Sequence, residues 1–440
     1  MARMEGRAGE TDTPPTVNIA SGSSLLFGAK VLSNIGFLVT TLVIYAALRA
    51  EGSGAYRFIS VSALIAGQFA QIGIPLVAPL LVARHPGRER DLLSSLVVTS
   101  LGFGVGSALI TVVALLSYGA TTIALVSVAI STVMIGIGET VQGFAQGLGK
   151  FRECSIVTVV APWLYVIPLV VLWKLDRLTL SLALTLYAVE WAIWAGGQLI
   201  VGYRLAGLGR FDRGLAREAV TLGWRALIGS LALFLNNRVD QILVELIKGK
   251  TVLGYYGIAV NVAEILLYLP RVVGTVLVPA VTRSAAELRR ETTVRLFRVI
   301  FIITLLGCVA TLLVGPWLIP LVLSDHRPVE PFIWLVPGAL GFVAMNVFAG
   351  GLIAEHRPTD ASYAAVVALV TGLVLDLILI PLDGATGAAI AATVAFLAGG
   401  VASIWLYRRA VPFPLGWLIP RPADLREMLA VVQRLRSRIA

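Results

Sequence analysis

The side chains best suited to chemistry in this sequence are polar and ionisable groups inside long apolar stretches. Asn236, Asn237, Arg238 and Asp240 fall within five residues of one such stretch, and Glu264 lies in the next. A charge at the centre of a bilayer costs at least about 2.5–3.5 kcal/mol, so it faces a bundle interior or a wet cavity. We interpret this cluster as a polar lining that binds an anionic or sugar-bearing headgroup. The alternative is structural, with Arg238 paired to Asp240 or Glu264.

Further cations in apolar stretches extend the candidate substrate-binding site. Arg225 and Arg271, together with Arg238, favour a phosphate-containing ligand, because guanidinium groups match phosphate geometry through forked hydrogen bonds. Lys30 is a fourth candidate. Snorkelling to the membrane surface would also explain Lys30 and Arg225, because both lie near the ends of their apolar stretches.

Two acidic residues in the first half of the chain, Glu139 and Glu190, are candidate ion-coupling residues, since a carboxyl group within a membrane span can carry a proton. No residue pattern predicts catalysis. The sequence has no Asp-x-Asp pair, and its three histidines are scattered. We therefore predict a transporter rather than an enzyme, with no catalytic residue, no metal site and no cofactor.

Composition places these residues in a membrane protein. Hydrophobic residues make up 58% of the 440 residues, charged residues make up 14%, and the mean hydropathy is +0.88. A soluble domain has about a quarter of its residues charged. The formal charge of +10 is therefore read as membrane topology rather than as affinity for nucleic acid. The two cysteines, Cys154 and Cys308, are expected to pack as small hydrophobic residues.

Apolar runs of about 20 residues, the length that crosses a bilayer core, predict an all-α polytopic protein with twelve transmembrane helices. The predicted spans lie near residues 24–48, 58–83, 92–117, 120–148, 154–173, 179–203, 221–247, 253–281, 297–322, 332–354, 361–382 and 385–407. If the N-terminus is cytoplasmic, most of the 35 Lys and Arg fall on cytoplasmic segments, as the positive-inside rule requires. Both termini are then cytoplasmic, and Arg49 and Arg57 belong to an outer loop.

Two segments of the chain share landmarks at a constant offset. Gly54-x-Tyr56 lies 25 residues before Pro79, and Gly254-x-Tyr256 lies 25 residues before Pro279. This offset of 200 residues predicts two parallel six-helix repeats around a central cavity.

The repeat and the predicted spans divide the chain into five parts. They are a cytoplasmic tail (1–23), an N-lobe (24–203), a cytoplasmic linker (204–220), a C-lobe (221–407) and an amphipathic basic C-terminal helix (421–440). The spacing of apolar and basic residues in the last segment predicts that it lies on the anionic inner leaflet.

The second half carries a family resemblance. Arg238-Val-Asp240, Gly254-Tyr-Tyr256 and Pro279 through Arg283 resemble the second-half signature of polysaccharide-unit flippases. These belong to the multidrug/oligosaccharidyl-lipid/polysaccharide exporter superfamily. The segment from Gln142 to Arg152 is similar to the family's glycine-rich turn before the fifth span.

That resemblance implies a flippase of the bacterial inner membrane. Such a protein moves undecaprenyl-diphosphate-linked oligosaccharides to the periplasmic leaflet by ion-coupled alternating access, for O-antigen and other lipopolysaccharide, capsule or exopolysaccharide. Arg238 and Asp240 would line the cavity, and Arg225, Arg271 and Lys30 would contact the diphosphate. The implied partners are the lipid-linked oligosaccharide, the bilayer, and a polysaccharide polymerase with other assembly proteins.

Two other function classes compete with this one. An ion-coupled small-molecule antiporter of the multidrug type would use acidic residues in the first half, and Glu139 and Glu190 fit that pattern. A membrane glycosyltransferase or polymerase would need a long catalytic outer loop. The predicted outer loops are short, which disfavours an enzyme.

Overall fold

The computed structural model describes residues 19–282 and 286–419, with side chains described for 32–227, 229–268, 270 and 289–419. The described residues are almost entirely helical. The helices are α1 (Ile19–Gln71), α2 (Ile74–Arg84), α3 (Glu89–Ser117), α4 (Thr122–Gly147), α5 (Phe151–Lys174), α6 (Leu180–Ala206), α7 (Arg213–Leu235), α8 (Val239–Lys248), α9 (Lys250–Thr282), α10 (Ala286–Leu323), α11 (Val329–Leu335), α12 (Gly338–Ala354) and α13 (Pro358–Ala410), followed by a 3-10 turn (Leu415–Leu418). The predicted C-terminal helix (421–440) and most of the predicted N-terminal tail (1–23) lie outside the described residues.

The helices bury an apolar core and also expose many large apolar side chains on the outer surface. Ile110 on α3 and Trp317 and Leu321 on α10 are all largely exposed. Among the described residues, nine helices are long and apolar enough to cross a membrane, or ten if one bent pair counts as a single span. Lipid replaces water around such helices, and helices satisfy their own backbone hydrogen bonds there. The chain is therefore an all-α polytopic membrane protein.

The two longest helices, α1 and α13, each contain 53 residues. A straight helix of that length would extend ~80 Å, well over twice the ~30 Å core of a bilayer. Each is interrupted by one residue with a left-handed φ, Arg49 (58°) in α1 and Gly384 (57°) in α13. At Arg49 the kink replaces the predicted outer loop. Helix resumes at Ala50 and includes Arg57, so that part of the loop prediction is wrong.

A second departure from the sequence prediction lies in the polar cluster. We predicted a continuous span over 221–247, but α7 ends at Leu235 and α8 begins at Val239. Non-helical backbone at membrane depth is tolerated only where protein or a wet cavity surrounds it. The break therefore places Asn236 to Arg238 inside the bundle. The predicted linker (204–220) is also shorter, because α6 continues to Ala206 and α7 begins at Arg213.

Helices α1 and α9 pack against each other beside Arg49. A Cβ atom on Gly54 would lie 1.8 Å from the carbonyl oxygen of Lys250, and one on Gly254 would lie 1.9 Å from that of Ala50. The two backbones therefore approach more closely than any side chain would allow. We call this the Gly54 seam. It joins the first half of the chain to the second.

A similar approach occurs further along the same path. Gly73, at the break between α1 and α2, has a φ of 70°. A Cβ atom there would lie 2.2 Å from the carbonyl oxygen of Gly223 on α7. We call this the Gly73 contact. It also joins the two halves, so the described structure has close backbone contacts at two levels.

Candidate functional site

The break between α7 and α8 carries an ion pair. Arg238 Nη1 lies 2.7 Å from Glu264 Oε1, and its Nη2 lies 3.3 Å from Oε2. The two side chains are only 20% and 10% exposed. Of the two partners that the sequence allowed for Arg238, the structure therefore pairs it with Glu264 and not with Asp240. Paired in this way, the two charges neutralise each other.

Removing one member of this pair should destabilise the protein. Arg238→Ala removes the guanidinium that pairs with the Glu264 carboxylate, and breaking a buried ion pair costs about 3–5 kcal/mol. We expect a clear drop in the thermal unfolding temperature in detergent. The matched control, Arg238→Met combined with Glu264→Leu, removes both charges and should restore most of it. Equal losses in the single and double variants would contradict a structural role for the pair.

Asp240 and the two asparagines surround a small cavity beside the ion pair. The hydroxyl of Tyr256 donates a hydrogen bond of 2.5 Å to Asp240 Oδ2. Asp240 Oδ1 and Asn236 Nδ2 are buried and have no hydrogen-bond partner among the described residues. The cavity measures about 30 Å³ and is lined by Asn236, Asn237, Asp240 and Glu264 with apolar side chains of α9, α11, α12 and α13. That volume holds water but is too small for a sugar-bearing headgroup.

Sequence reasoning missed a cation from the first half of the chain. Arg57 reaches out of α1 across Gly257, where a Cβ atom would lie 2.4 Å from Arg57 Cδ. Its Nε donates to Gln241 Oε1 at 2.8 Å, and its Nη2 donates to Asn261 Oδ1 at 2.9 Å. Both acceptors are neutral amides of the second half. No carboxylate lies within ion-pair distance of Arg57 among the described residues. The signal that could have found it is its position directly after the repeated Gly54-x-Tyr56 motif.

More polar contacts join the two halves at the same end of the bundle. Asn261 donates to Thr41 Oγ1 on α1. The Tyr118 hydroxyl donates to Glu245 Oε1 at 3.0 Å. The Tyr45 hydroxyl donates to Asp325, in the loop after α10. These bonds surround the Gly54 seam, so the seam and the polar contacts hold this end of the bundle closed together.

The Asp325 link should be insensitive to pH across the physiological range. Arg327 donates to both Asp325 oxygens, and mainly these bonds lower the pKa of Asp325 from 3.8 to about 2. A carboxyl with a lowered pKa stabilises the fold above its unfolded pKa and loses that contribution as pH falls through the folded one. Asp325→Asn should therefore lower stability by about 1 kcal/mol or less, and equally at pH 5 and pH 8. The stability lost in the variant is measured by thermal unfolding at both pH values. A loss that is smaller at pH 5 than at pH 8 would contradict this prediction.

The remaining predicted residues are spread over the bundle. Arg225 is exposed on α7, away from the ion pair. The side chains of Lys30 and Arg271 lie outside the described part of the structure. Glu139 is partly buried on α4, and Glu190 is 4% exposed on α6. Of the predicted site residues, the structure brings together Arg238, Asp240, Asn237 and Glu264.

Glu190 lies in an aromatic part of the first half. Its Oε2 atom is buried without a hydrogen-bond partner among the described residues. On the same helix, the ring of Tyr187 packs edge-on against that of Tyr56, with centroids 5.8 Å apart. The Tyr56 hydroxyl bonds to that of Tyr165 at 2.9 Å. An ionised carboxylate without a partner is costly in such surroundings, which suits a group that carries a proton.

Comparisons with known proteins agree with this architecture. Residues 19–285 match a family model described as polysaccharide biosynthesis protein. Over 356 residues the chain is 25% identical to the EPS I polysaccharide export inner membrane protein EpsE of Ralstonia solanacearum, a match covering 76% of this chain and 77% of that protein.

Solved structures show the same fold. One is the lipid II flippase MurJ in an inward closed conformation, with a TM-score of 0.74, 14% identity, and coverage of 90% of this chain and 89% of that one. Another is an inward-facing multidrug resistance MATE family transporter of the MOP superfamily, with a TM-score of 0.69, 12% identity, and coverage of 88% and 98%. The resemblance to a polysaccharide family read from the sequence is confirmed by the family model, and the solved structures show the fold.

Proposed function

The chain belongs to the polysaccharide biosynthesis protein family, and from this membership we propose that it is a flippase for lipid-linked oligosaccharides. It moves undecaprenyl-diphosphate-linked repeat units from the cytoplasmic to the periplasmic leaflet of the bacterial inner membrane, for surface polysaccharide assembly with a polymerase and other assembly proteins. The similarity to a polysaccharide export protein supports the substrate class. The fold shared with a lipid II flippase and with MATE transporters supports transport rather than catalysis.

We propose twelve spans in two parallel lobes, 24–203 and 221–407, with both termini cytoplasmic. Counting the two kinked 53-residue helices as two spans each, and the bent pair at α7 as one span, gives this number. The Gly54 seam supports the repeat, because its contacts are reciprocal. Gly54 meets Lys250, and Gly254 meets Ala50. Gly54 and Gly254 are 200 residues apart, as are Ala50 and Lys250. The basic connections support the orientation, which places the Arg49 turn on the periplasmic side.

Two separate contacts between the lobes, the Gly54 seam and the Gly73 contact, support alternating access. Gly54 and Gly73 are 19 residues apart, along α1 and the break that follows it, or about 28 Å at the rise of a helix. Opening one while the other stays closed would expose the space between the lobes to one side of the membrane at a time. The proposed cycle therefore breaks the seam and the Gly73 contact in turn.

The diphosphate contact rests mainly on Arg57. Among the described residues its guanidinium is held only by amides, so no ion pair there neutralises its charge, whereas Arg238 is paired with Glu264. When the lobes separate, Gln241 and Asn261 move away from Arg57, and a diphosphate can replace them with charge-assisted, two-point hydrogen bonds. Arg225, Arg271 and Lys30 remain candidate phosphate contacts from the resemblance, and Arg238, Asp240, Asn237 and Glu264 remain candidate cavity residues.

A deletion strain tests the proposed function directly. Without the gene, lipid-linked oligosaccharides should accumulate on the cytoplasmic leaflet, and the intact gene should restore export. Accumulation is measured by the access of a membrane-impermeant sugar-modifying enzyme to each leaflet. If the lipid-linked oligosaccharide reaches the periplasmic leaflet at a normal rate in the deletion strain, the flippase proposal is wrong.

The position of Glu190 supports a second candidate function, that of an ion-coupled small-molecule antiporter. The fold shared with MATE transporters and the buried, unpartnered Oε2 atom of Glu190 favour it. Antiport of a cationic drug without any effect on surface polysaccharide would support this second function over the first.

If Glu190 carries a coupling proton, the uncharged isostere should uncouple transport. Glu190→Gln keeps the shape of the side chain but cannot release a proton. In proteoliposomes we expect its transport under an imposed proton gradient to fall to the level seen without a gradient. Glu139→Gln is the matched control on α4. Gradient-driven transport that survives Glu190→Gln but not Glu139→Gln would move the coupling role to Glu139.

A further inference from the structure

The loop between α6 and α7, residues 207–212, is fixed to the start of α3. Its backbone N–H groups donate to α3 side chains, from Gly209 to Ser94 Oγ at 2.9 Å, from Arg210 to Asp91 Oδ1 at 2.8 Å and from Asp212 to Ser95 Oγ at 2.9 Å. Arg90 also donates to the carbonyl oxygen of Ala206 at 3.0 Å. The loop is short, yet its polar backbone is held at both ends and in the middle.

Between these fixed points the loop exposes large apolar side chains. Leu208 is 74% exposed and Phe211 is 48% exposed. Tyr203, in the last turn of α6, is 58% exposed. The neighbouring backbone is bonded to α3, so it holds the Leu208 and Phe211 side chains on the surface. Exposed apolar side chains held in this way mark a contact surface.

Basic side chains with no carboxylate partner among the described residues lie close in sequence to these apolar residues. They are Arg204, Arg210, Arg213 and Arg217, and all four are exposed. The neighbouring loop before α3 is different. There, Arg84 pairs with Glu218 at 3.1 Å and Arg88 pairs with Asp212 at 2.6 Å. The two paired arginines fix the linker to the first lobe, while the four others leave it with an uncompensated positive charge.

We propose that the 207–212 loop binds the anionic phospholipid surface of the inner leaflet. Leu208 and Phe211 insert among the acyl chains just below the headgroups, and the four arginines contact lipid phosphates. An apolar tip surrounded by cations is the pattern of an interfacial lipid anchor. The loop joins two membrane helices directly, and Tyr203 lies where interfacial aromatic residues occur, so lipid is the surface nearest to it.

Lipid bound here would act on both lobes. The loop is bonded to α3 of the first lobe and continues at once into α7 of the second, whose first turn Asp212 caps through the Gly214 N–H. An anionic lipid would therefore restrain the start of α7 relative to α3. The proposal depends on the membrane assignment and not on flippase activity, so either one can fail alone.

Phe211→Cys, labelled with an environment-sensitive fluorophore in the full-length protein, tests the proposal. The two native cysteines are buried, and the unsubstituted protein gives the background. In vesicles of phosphatidylcholine mixed equally with phosphatidylglycerol, brominated lipids should quench the label strongly and iodide weakly. Phosphatidylcholine alone should give less quenching by brominated lipids. Each of Arg210→Gln and Arg213→Gln should raise the phosphatidylglycerol fraction needed for half the effect roughly fivefold, which corresponds to about 1 kcal/mol per cation.

Pro86→Cys is the matched control, because Pro86 is exposed on the neighbouring loop, where the cations are paired. Its label should be quenched by iodide in every vesicle. Iodide quenching at residue 211 equal to that at residue 86 would overturn the proposal. If quenching by brominated lipid does not depend on the phosphatidylglycerol fraction of the vesicles, the proposed preference for anionic lipid is wrong. Shielding from iodide in native membranes but not in vesicles of the purified protein would mean that a protein covers the loop instead.

Discussion

Gly54→Ala is expected to reduce export by about 5- to 150-fold, although it adds only one methyl group. The new Cβ atom would lie 1.8 Å from the Lys250 carbonyl oxygen, and backbone cannot move aside as a flexible side chain can. Overpacking of this kind costs about 1–3 kcal/mol, and each ~1.4 kcal/mol changes an equilibrium tenfold. The cost falls on the state in which the Gly54 seam is closed. The two halves then spend most of their time apart at this end of the bundle and complete few transport cycles.

The reciprocal variant and three other helical glycines make this test specific. Gly254→Ala should match Gly54→Ala, because its Cβ atom would lie 1.9 Å from the Ala50 carbonyl oxygen. Gly102→Ala, Gly106→Ala and Gly196→Ala are the controls, because a Cβ atom at each of these positions has no contact within 4 Å. Surface polysaccharide and the protein level in the membrane are measured in the complemented deletion strain. Normal export from Gly54→Ala, with the protein present, would show that the seam does not need to close.

Arg57→Ala is expected to lower export by about 10- to 100-fold, the range expected for a lost hydrogen bond to a charged group. Arg57 is assigned two tasks, which are closing the lobes through two amides and contacting the diphosphate when they open. Its removal should therefore affect both halves of the cycle. Arg57→Lys keeps the charge but loses the forked geometry, so it should restore only part of the export.

The two tasks of Arg57 can be separated through its partners. Gln241→Leu combined with Asn261→Leu removes both amide acceptors and keeps the guanidinium. If Arg57 only closes the lobes, this pair of changes should reduce export as much as Arg57→Ala does. If it also binds phosphate, the pair should be less harmful, and the difference should appear in substrate binding by purified protein. Export unaffected by Arg57→Ala would refute both tasks.

Much of the fold could be predicted from the sequence, because apolar length and charge asymmetry are strong signals in a membrane. The cluster of Asn237, Arg238, Asp240 and Glu264 could also be located, since polar residues are costly inside apolar stretches. The partner of Arg238 could not be chosen, because Asp240 and Glu264 are both close in depth. Only the path of the backbone at the α7–α8 break decides between them.

Arg57 was misplaced for a physical reason. Glu51, Gly52, Ser53 and Gly54 lower the hydropathy of residues 49–57 to that of a loop. Small residues also mark the places where membrane helices approach each other most closely, and hydropathy does not distinguish the two cases. The segment is helical and packs closely at Gly54. The Arg57 side chain therefore points towards the second half of the chain. Lys30 and Arg271 remain predictions from the sequence alone.

The crossing of Arg57 over Gly257 has a consequence for how such a site arises. In a symmetric dimer of identical chains, equivalent residues beside the twofold axis are the same. Two arginines would compete for one space, and two glycines would leave it without a cation. A single chain that supplies both halves can place a large side chain at one position and a glycine at the equivalent one. Residues 57 and 257 are such a combination, so this contact holds one cation where two identical halves would hold two or none.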